Sequence, residues 1–231
     1  MIDLVLLCGL LSDETVWSEV AGRLAGVARV HIVSFPNFSS IEAMARHVLE
    51  TGPRRFALAG HSMGGRVALE VWRQAPDRII GLALLNTGSG PRGANESVTR
   101  GRLVQLARER GMAAVAGDWL PPMLGAPTAQ RAKVAARLVA MVERQTPDSF
   151  AAQQQALLAR PDADPVLPTI RVPTLLVSGS ADAWSPIAQH EAMRRRIPDA
   201  TLVAIEDAGH MAPTEQPDAV ASALGVWLAG L

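Results

Sequence analysis

Residues 55–65 read Arg-Phe-Ala-Leu-Ala-Gly-His-Ser-Met-Gly-Gly. A short apolar run, 55–59, ends at Gly60, and a helical pattern over 63–74 begins three residues later and stops before Pro76. Between them lies G-x-S-x-G, with an extra glycine at Gly65. The spacing has a steric reason. A strand that turns at once into a helix holds one residue in a strained backbone conformation, and glycines two residues to either side remove the Cβ atoms that would collide. The Ser62 hydroxyl then projects at the carboxyl end of a sheet, where open α/β sheets place their sites. The Met63 N–H falls at the helix start, where backbone donors are free and the helix dipole favours negative charge.

Apolar runs recur on both sides of this turn. Strands are predicted over 2–8, 27–35, 55–59, 79–86, 172–178 and 200–205. These runs lack clean alternation, as expected of strands covered on both faces. Helices are predicted over 41–50, capped by Ser39 or Ser40, and over 63–74, 187–196 and 217–231, the last with Pro217 in its first turn. Alternating strands and helices imply an α/β fold: a mainly parallel sheet of about six strands with right-handed crossovers and helices on both faces. The rhythm breaks once, because about 85 residues separate the fourth and fifth strands, far more than one crossover needs. Helical patterns at 100–111, 129–144 and 147–160, punctuated by Pro121, Pro122, Pro127 and Pro161, make residues 88–165 a helical cap inserted in one domain of 1–231.

Composition agrees with a single packed domain. The chain has 231 residues, 48% hydrophobic and 19% charged, which excludes a disordered chain. Area scaling gives a folded surface of roughly 10,000 Å². Lys+Arg and Asp+Glu both number 22, so net charge is zero and no basic surface for nucleic acid is expected. The one cysteine, Cys8, excludes an internal disulfide and a multi-cysteine metal site. Ile2–Leu11 is too short to span a bilayer and Asp3 interrupts it, so no membrane association and a cytoplasmic location are expected.

A serine hydroxyl needs a base to take its proton. Of five histidines, His31 lies in a strand, His47 on a helix, and His190 early on a helix, where a solvated position is expected. His61 adjoins the serine, but its side chain leaves the turn in another direction. His210 follows the last strand in Asp-Ala-Gly-His-Met-Ala-Pro, 207–213, where Gly209 lets the loop fold over the sheet end, making it the preferred base. The orienting carboxylate is Asp182, after the fifth strand, or Asp207, three residues before the histidine. The order Ser62, Asp182, His210 suits an α/β sheet of this type. A buried Cys8 at a strand end reads as packing.

On Gly-His-Ser-Met-Gly-Gly at 60–65, Gly-Ser-Ala-Asp-Ala-Trp-Ser-Pro at 179–186 and Asp-Ala-Gly-His-Met-Ala-Pro-Thr-Glu-Gln-Pro at 207–217, the chain resembles the α/β-hydrolase superfamily. It looks most like small bacterial carboxylesterases and enol-lactonases with a short helical cap. The resemblance covers nearly all of the chain outside the cap. It implies a nucleophile, acid and base on Ser62, Asp182 and His210, with no cofactor and no metal. Many members carry His-Gly after the first core strand, where this chain has Cys8-Gly9. The oxyanion donor there is a backbone N–H, which survives the change, so the implied pair is Leu10 and Met63. No counterpart of the family's usual N-terminal hairpin is expected before the first strand.

The expected pocket is mostly apolar, with Leu11, Trp119, Met123, Leu124, Trp184 and Met211 beside Leu10 and Met63. Trp17 is a further candidate, while Trp72 and Trp227 read as helix packing. The expected activity is a serine carboxylic-ester hydrolase acting on a small ester or lactone through an acyl-enzyme on Ser62. Two rivals stand beside it. One is hydrolysis of a carbon–carbon bond in a ring-cleavage product, which needs Arg66 or Arg92 for a substrate carboxylate. The other is a ligand receptor that keeps the fold with little turnover.

Overall fold

The computed structural model describes residues 1–125 and 131–231, with the side chain of Arg131 excepted. Pro127 and the first two residues of the helix predicted over 129–144 lie outside the described residues. Six strands form one parallel sheet: β1 (Ile2–Leu7), β2 (Ala28–Val33), β3 (Phe56–His61), β4 (Ile79–Leu85), β5 (Thr174–Gly179) and β6 (Thr201–Ile205). Their order is β2-β1-β3-β4-β5-β6. All six predicted runs become strands, and the four central ones are buried nearly throughout, which is why they read as unbroken apolar runs.

Helices α1 (Ser18–Leu24), α2 (Ile41–Thr51), α3 (Met63–Gln74), α7 (Ile187–Arg194), α8 (Ala212–Glu215) and α9 (Pro217–Ala229) connect and cover the sheet. The Ser40 hydroxyl caps α2 by accepting from the Ala43 N–H at 3.3 Å. Ile41, Met44, Ala45 and Val48 of that helix face the core. Helix α1 is not among the expected elements. It is seven residues long and buries only Val20 and Leu24, too little periodic pattern to recognise. Its place is the crossover between β1 and β2, which a parallel pair requires.

After β4 comes the helical insertion: α4 (Glu96–Trp119), α5 (Arg131–Glu143) and α6 (Pro147–Leu158). The helix expected to stop at Gly111 instead bends there, with φ +78°, and continues to Trp119. Only glycine adopts that angle at little cost, so the signal for an end was a signal for a kink. The total surface is 9709 Å², close to the value that chain mass dictates. No helix among the described residues is long and apolar enough to cross a membrane.

Helix α3 runs against the sheet at backbone contact. A Cβ on Gly64 would lie 2.8 Å from the Cys8 carbonyl oxygen and closer still to that of Leu7, and one on Gly65 would lie 2.5 Å from the Thr87 methyl. Gly22, exposed on α1, has nothing within 4 Å. The same substitution therefore has opposite signs at the two places. Gly64→Ala should lose about 1–3 kcal/mol by overpacking, and Gly22→Ala should gain up to about 1 kcal/mol from helix propensity. Urea unfolding midpoints of the two variants against the parent measure both, and a neutral Gly64→Ala would contradict the close approach.

Candidate active site

Ser62 stands between β3 and α3 with φ +54° and ψ −116°, outside the basins open to an ordinary L-residue. Three bonds hold it there. Its N–H donates to the Leu85 carbonyl at 2.9 Å, and its carbonyl accepts from the Gly65 N–H at 3.0 Å and the Thr87 hydroxyl at 2.7 Å. The Ser62 Oγ lies 2.8 Å from His210 Nε2, and His210 Nδ1 lies 2.9 Å from Asp182 Oδ2. A carboxylate only accepts, so the imidazole proton sits on Nδ1 and Nε2 accepts from the serine hydroxyl.

Asp182 is fully engaged. Its Oδ1 accepts from the Trp184 and Ser185 amides at 2.8 and 3.0 Å, and its Oδ2 accepts from His210 and from Asn86 Nδ2 at 2.8 Å. Burial pushes this carboxyl up, but the bonds and charge of His210, with those of Asn86 and the Ser185 amide, outweigh it and hold the group well below the usual carboxylate range. Asp207, the alternative, is exposed at φ +55°, and its amide donates to the Ser180 hydroxyl; its carboxylate does not meet the imidazole. Asn86 escaped sequence reading. It follows β4 at φ +48° and also donates to the Gly209 carbonyl at 3.2 Å, joining Asp182 to the histidine loop. An asparagine after a buried strand was the only signal it offered.

The other histidines resolve differently from one another. His31 pairs with Asp3 at 2.8 Å on the outer part of the sheet. His61 is buried and donates from Nε2 to the His210 carbonyl at 2.7 Å, so it supports the loop and does not reach the serine. His190 corrects the expectation of a solvated residue. It is 0% exposed and accepts the Thr87 N–H on Nε2 at 3.2 Å, beneath the loop that follows β4. Cys8 is buried, its thiol pKa is pushed up by burial and the nearby Asp13 and Glu14 charges, and it donates to the Asp13 carbonyl.

A cavity of about 330 Å³ opens on Ser62 and His210. Leu10, Met63, Trp119, Met123 and Trp184 line it as expected, whereas Leu11, Leu124, Met211 and Trp17 do not. Leu11 is buried with its N–H on Gln153 Oε1 at 2.9 Å, Met211 is buried, and Trp17 donates to the Leu7 carbonyl from within the core. Among the described residues, neither the Leu10 nor the Met63 N–H donates to a protein acceptor. The larger correction concerns polarity. The wall also carries Arg66, Glu96, Arg100 and Arg160, brought in from α3 and the insertion. Glu96 takes Arg100 at 2.7 Å and Arg160 at 2.8 Å. Its carboxyl, which burial alone would raise, is thereby pulled down to about 2. Arg66 donates to the Gly90 carbonyl at 2.8 Å, and among the described residues no carboxylate lies at ion-pair distance from it. Burial, then the Arg160 charge, lowers its pKa to about 9. Arg92 is exposed and does not line the cavity. A larger hollow of about 910 Å³ lies against β6 and α9 and contains none of these groups.

Burial and the His210 charge bring the pKa of His61 down to about 3 from 6.5. In acid the unfolded chain takes up a proton at this histidine that the folded chain refuses. Its contribution to stability is thus complete above about pH 6.5 and is lost as pH falls toward about 3, with a slope approaching 1.4 kcal/mol per pH unit. His61→Gln, which cannot titrate, should show a flatter stability curve than the parent in urea unfolding between about pH 4 and 7. Equal slopes would refute a neutral buried His61.

Comparison with known proteins adds the lineage. A pimeloyl-[acyl-carrier protein] methyl ester esterase of Aromatoleum aromaticum is 29% identical over 94% of this chain and 94% of its own. A thermophilic esterase from Thermogutta terrifontis, solved with malate bound, superposes with a TM-score of 0.89 at 31% identity, covering 100% of this chain and 90% of that one. The enol-lactonase from Burkholderia xenovorans LB400 superposes with a TM-score of 0.87 at 26% identity, covering 99% and 92%. The model of the alpha/beta hydrolase family matches residues 4–223, from the first strand into the last helix, and the chain belongs to that family.

Proposed function

We propose that the protein is a serine hydrolase of carboxylic esters or lactones, with Ser62 as nucleophile, His210 as base and Asp182 as its orienting acid. The observation that carries this reading is the unbroken chain from Ser62 Oγ to His210 Nε2 at 2.8 Å and from Nδ1 to Asp182 at 2.9 Å. The hydroxyl proton passes to Nε2 as Oγ attacks the acyl carbon. Asp182, already accepting on both oxygens, stabilises the imidazolium without taking its proton. The oxyanion forms beside the unengaged N–H groups of Leu10 and Met63. His210 returns the proton to the leaving oxygen. It then activates water to release the acid and regenerate Ser62. The esterase and lactonase names of the relatives agree with this chemistry.

The cationic wall refines the substrate. Arg66 borders the cavity with no ion-pair partner among the described residues, while Arg100 and Arg160 share Glu96. A substrate acyl group ending in a carboxylate would supply the missing anion, and a guanidinium binds a carboxylate bidentately. The reading is therefore an ester or lactone of a small dicarboxylic acid, with Arg66 holding the free acid group. The cavity of about 330 Å³, at the small end for ligand sites, limits its size.

A fluorophosphonate probe should place one label on the peptide containing Ser62 and none on Ser62→Ala. Asp182→Asn should lose about 10⁴-fold in turnover through the wrong histidine tautomer, while Asp207→Asn stays within about tenfold. The reverse ranking, on proteins of equal melting temperature, would overturn the assignment. Arg66→Gln should raise KM for a dicarboxylic half-ester by about 10- to 100-fold, the cost of a lost charge-assisted pair, and leave the matching neutral diester nearly unaffected. An equal loss on both esters would remove the carboxylate from the reading.

A further inference from the structure

We infer that Glu215 is a positioning residue for His210, and that its two oxygens tie the imidazole loop to the Met123–Gly125 segment of the helical insertion. The inference rests on the ester-hydrolase reading above. Glu215 ends α8, five residues after His210. Its Oε1 accepts the N–H groups of Gly209 at 2.9 Å and Met211 at 3.1 Å, the two amides that flank His210. Its Oε2 accepts the Gly125 N–H at 2.6 Å, from the chain that leaves α4. The His210 N–H donates into the same segment, to the Met123 carbonyl at 2.7 Å. Three consecutive amides around the base are thus held, two by the carboxylate and one by the insertion.

A second observation supports direct coupling. A Cβ on Gly125 would lie 2.7 Å from the Gly209 nitrogen, and one on Gly209 would lie 2.5 Å from the Gly125 nitrogen. Two backbones therefore touch with no side chain between them. Met123 also lines the cavity. One carboxylate consequently fixes the imidazole and one wall of the pocket against each other. A displacement of this segment is transmitted to the His210 ring through backbone, while His61 holds the loop at the His210 carbonyl.

Glu215→Gln separates this role from general stability. The amide keeps one accepting oxygen but turns a donor toward one of the three N–H groups, so one tie breaks without loss of volume. Two quantities are read on the whole protein: the rate of fluorophosphonate labelling at Ser62, and kcat and KM on a small ester. Loss of alignment should slow labelling and lower kcat together by about 10- to 100-fold, with KM within about threefold and the protein folded at the assay temperature. Labelling and kcat equal to the parent, whether or not the melting temperature falls, would reduce Glu215 to a structural residue and overturn the inference. If Glu215→Gln does not fold, Glu215→Asp, which keeps the charge but shortens the reach, is judged by the same two readouts. A parent protein that does not label at Ser62 would instead bring down the hydrolase reading itself.

Discussion

The backbone of Ser62, at φ +54°, is the constraint on which the rest of this structure depends. A non-glycine residue held there costs of order 1–3 kcal/mol, and it persists only where the surroundings over-determine it. Here Leu85, Gly65 and Thr87 each bind the serine backbone. These bonds form only if α3 lies flush on the sheet, and that requires Gly60, Gly64 and Gly65 to have no side chain. Strain at one residue thus fixes the distance between a helix and the strands under it. In return the hydroxyl stands clear of the sheet end, where loops from β5 and β6 can reach it.

The electrostatics follow from that placement. An ionised carboxylate taken from water needs its lone pairs filled, and Asp182 has all of them occupied by two amides, Asn86 and His210. The imidazole is then fixed in one tautomer from below, while Glu215, His61 and Met123 hold its backbone. Neutral His61, buried beside it, adds support without adding a competing charge.

The insertion after β4 decides what the site can bind. Helix α4 brings Glu96, Arg100 and Trp119, and the chain just after α6 brings Arg160, to the cavity wall that Arg66 of α3 also lines. Pairing within this group is unequal: Glu96 is shared by two arginines and Arg66 is left to a backbone carbonyl. The result is a small cavity with an apolar side, at Leu10, Met63 and the tryptophans, and a cationic side.

Much of this was legible in the sequence because its causes are local. A strand buried on both faces must be an apolar run, and a strained strand-to-helix turn must have glycines at fixed offsets, so the sheet and the position of Ser62 could be read directly. The loops after the last two strands carried Asp182 and His210 for the same reason. The charged wall of the pocket was less legible. Arg66 stands only as one of two candidates for a substrate carboxylate, Arg100 and Arg160 look like ordinary solvated charges along the chain, and only the folding of the insertion over α3 places the three together. Whether a polar residue is buried is likewise a tertiary fact. His190 looked solvated because it falls early on a helix, yet its ring lies under the loop after β4. Glu215 lies within the 207–217 stretch that carries the resemblance, yet neither its role nor that of Asn86 is legible there, since it depends on partners between 4 and 123 residues away. Sequence periodicity and turn chemistry determine which elements form. Which charges and amides meet across those elements is set by three-dimensional packing alone.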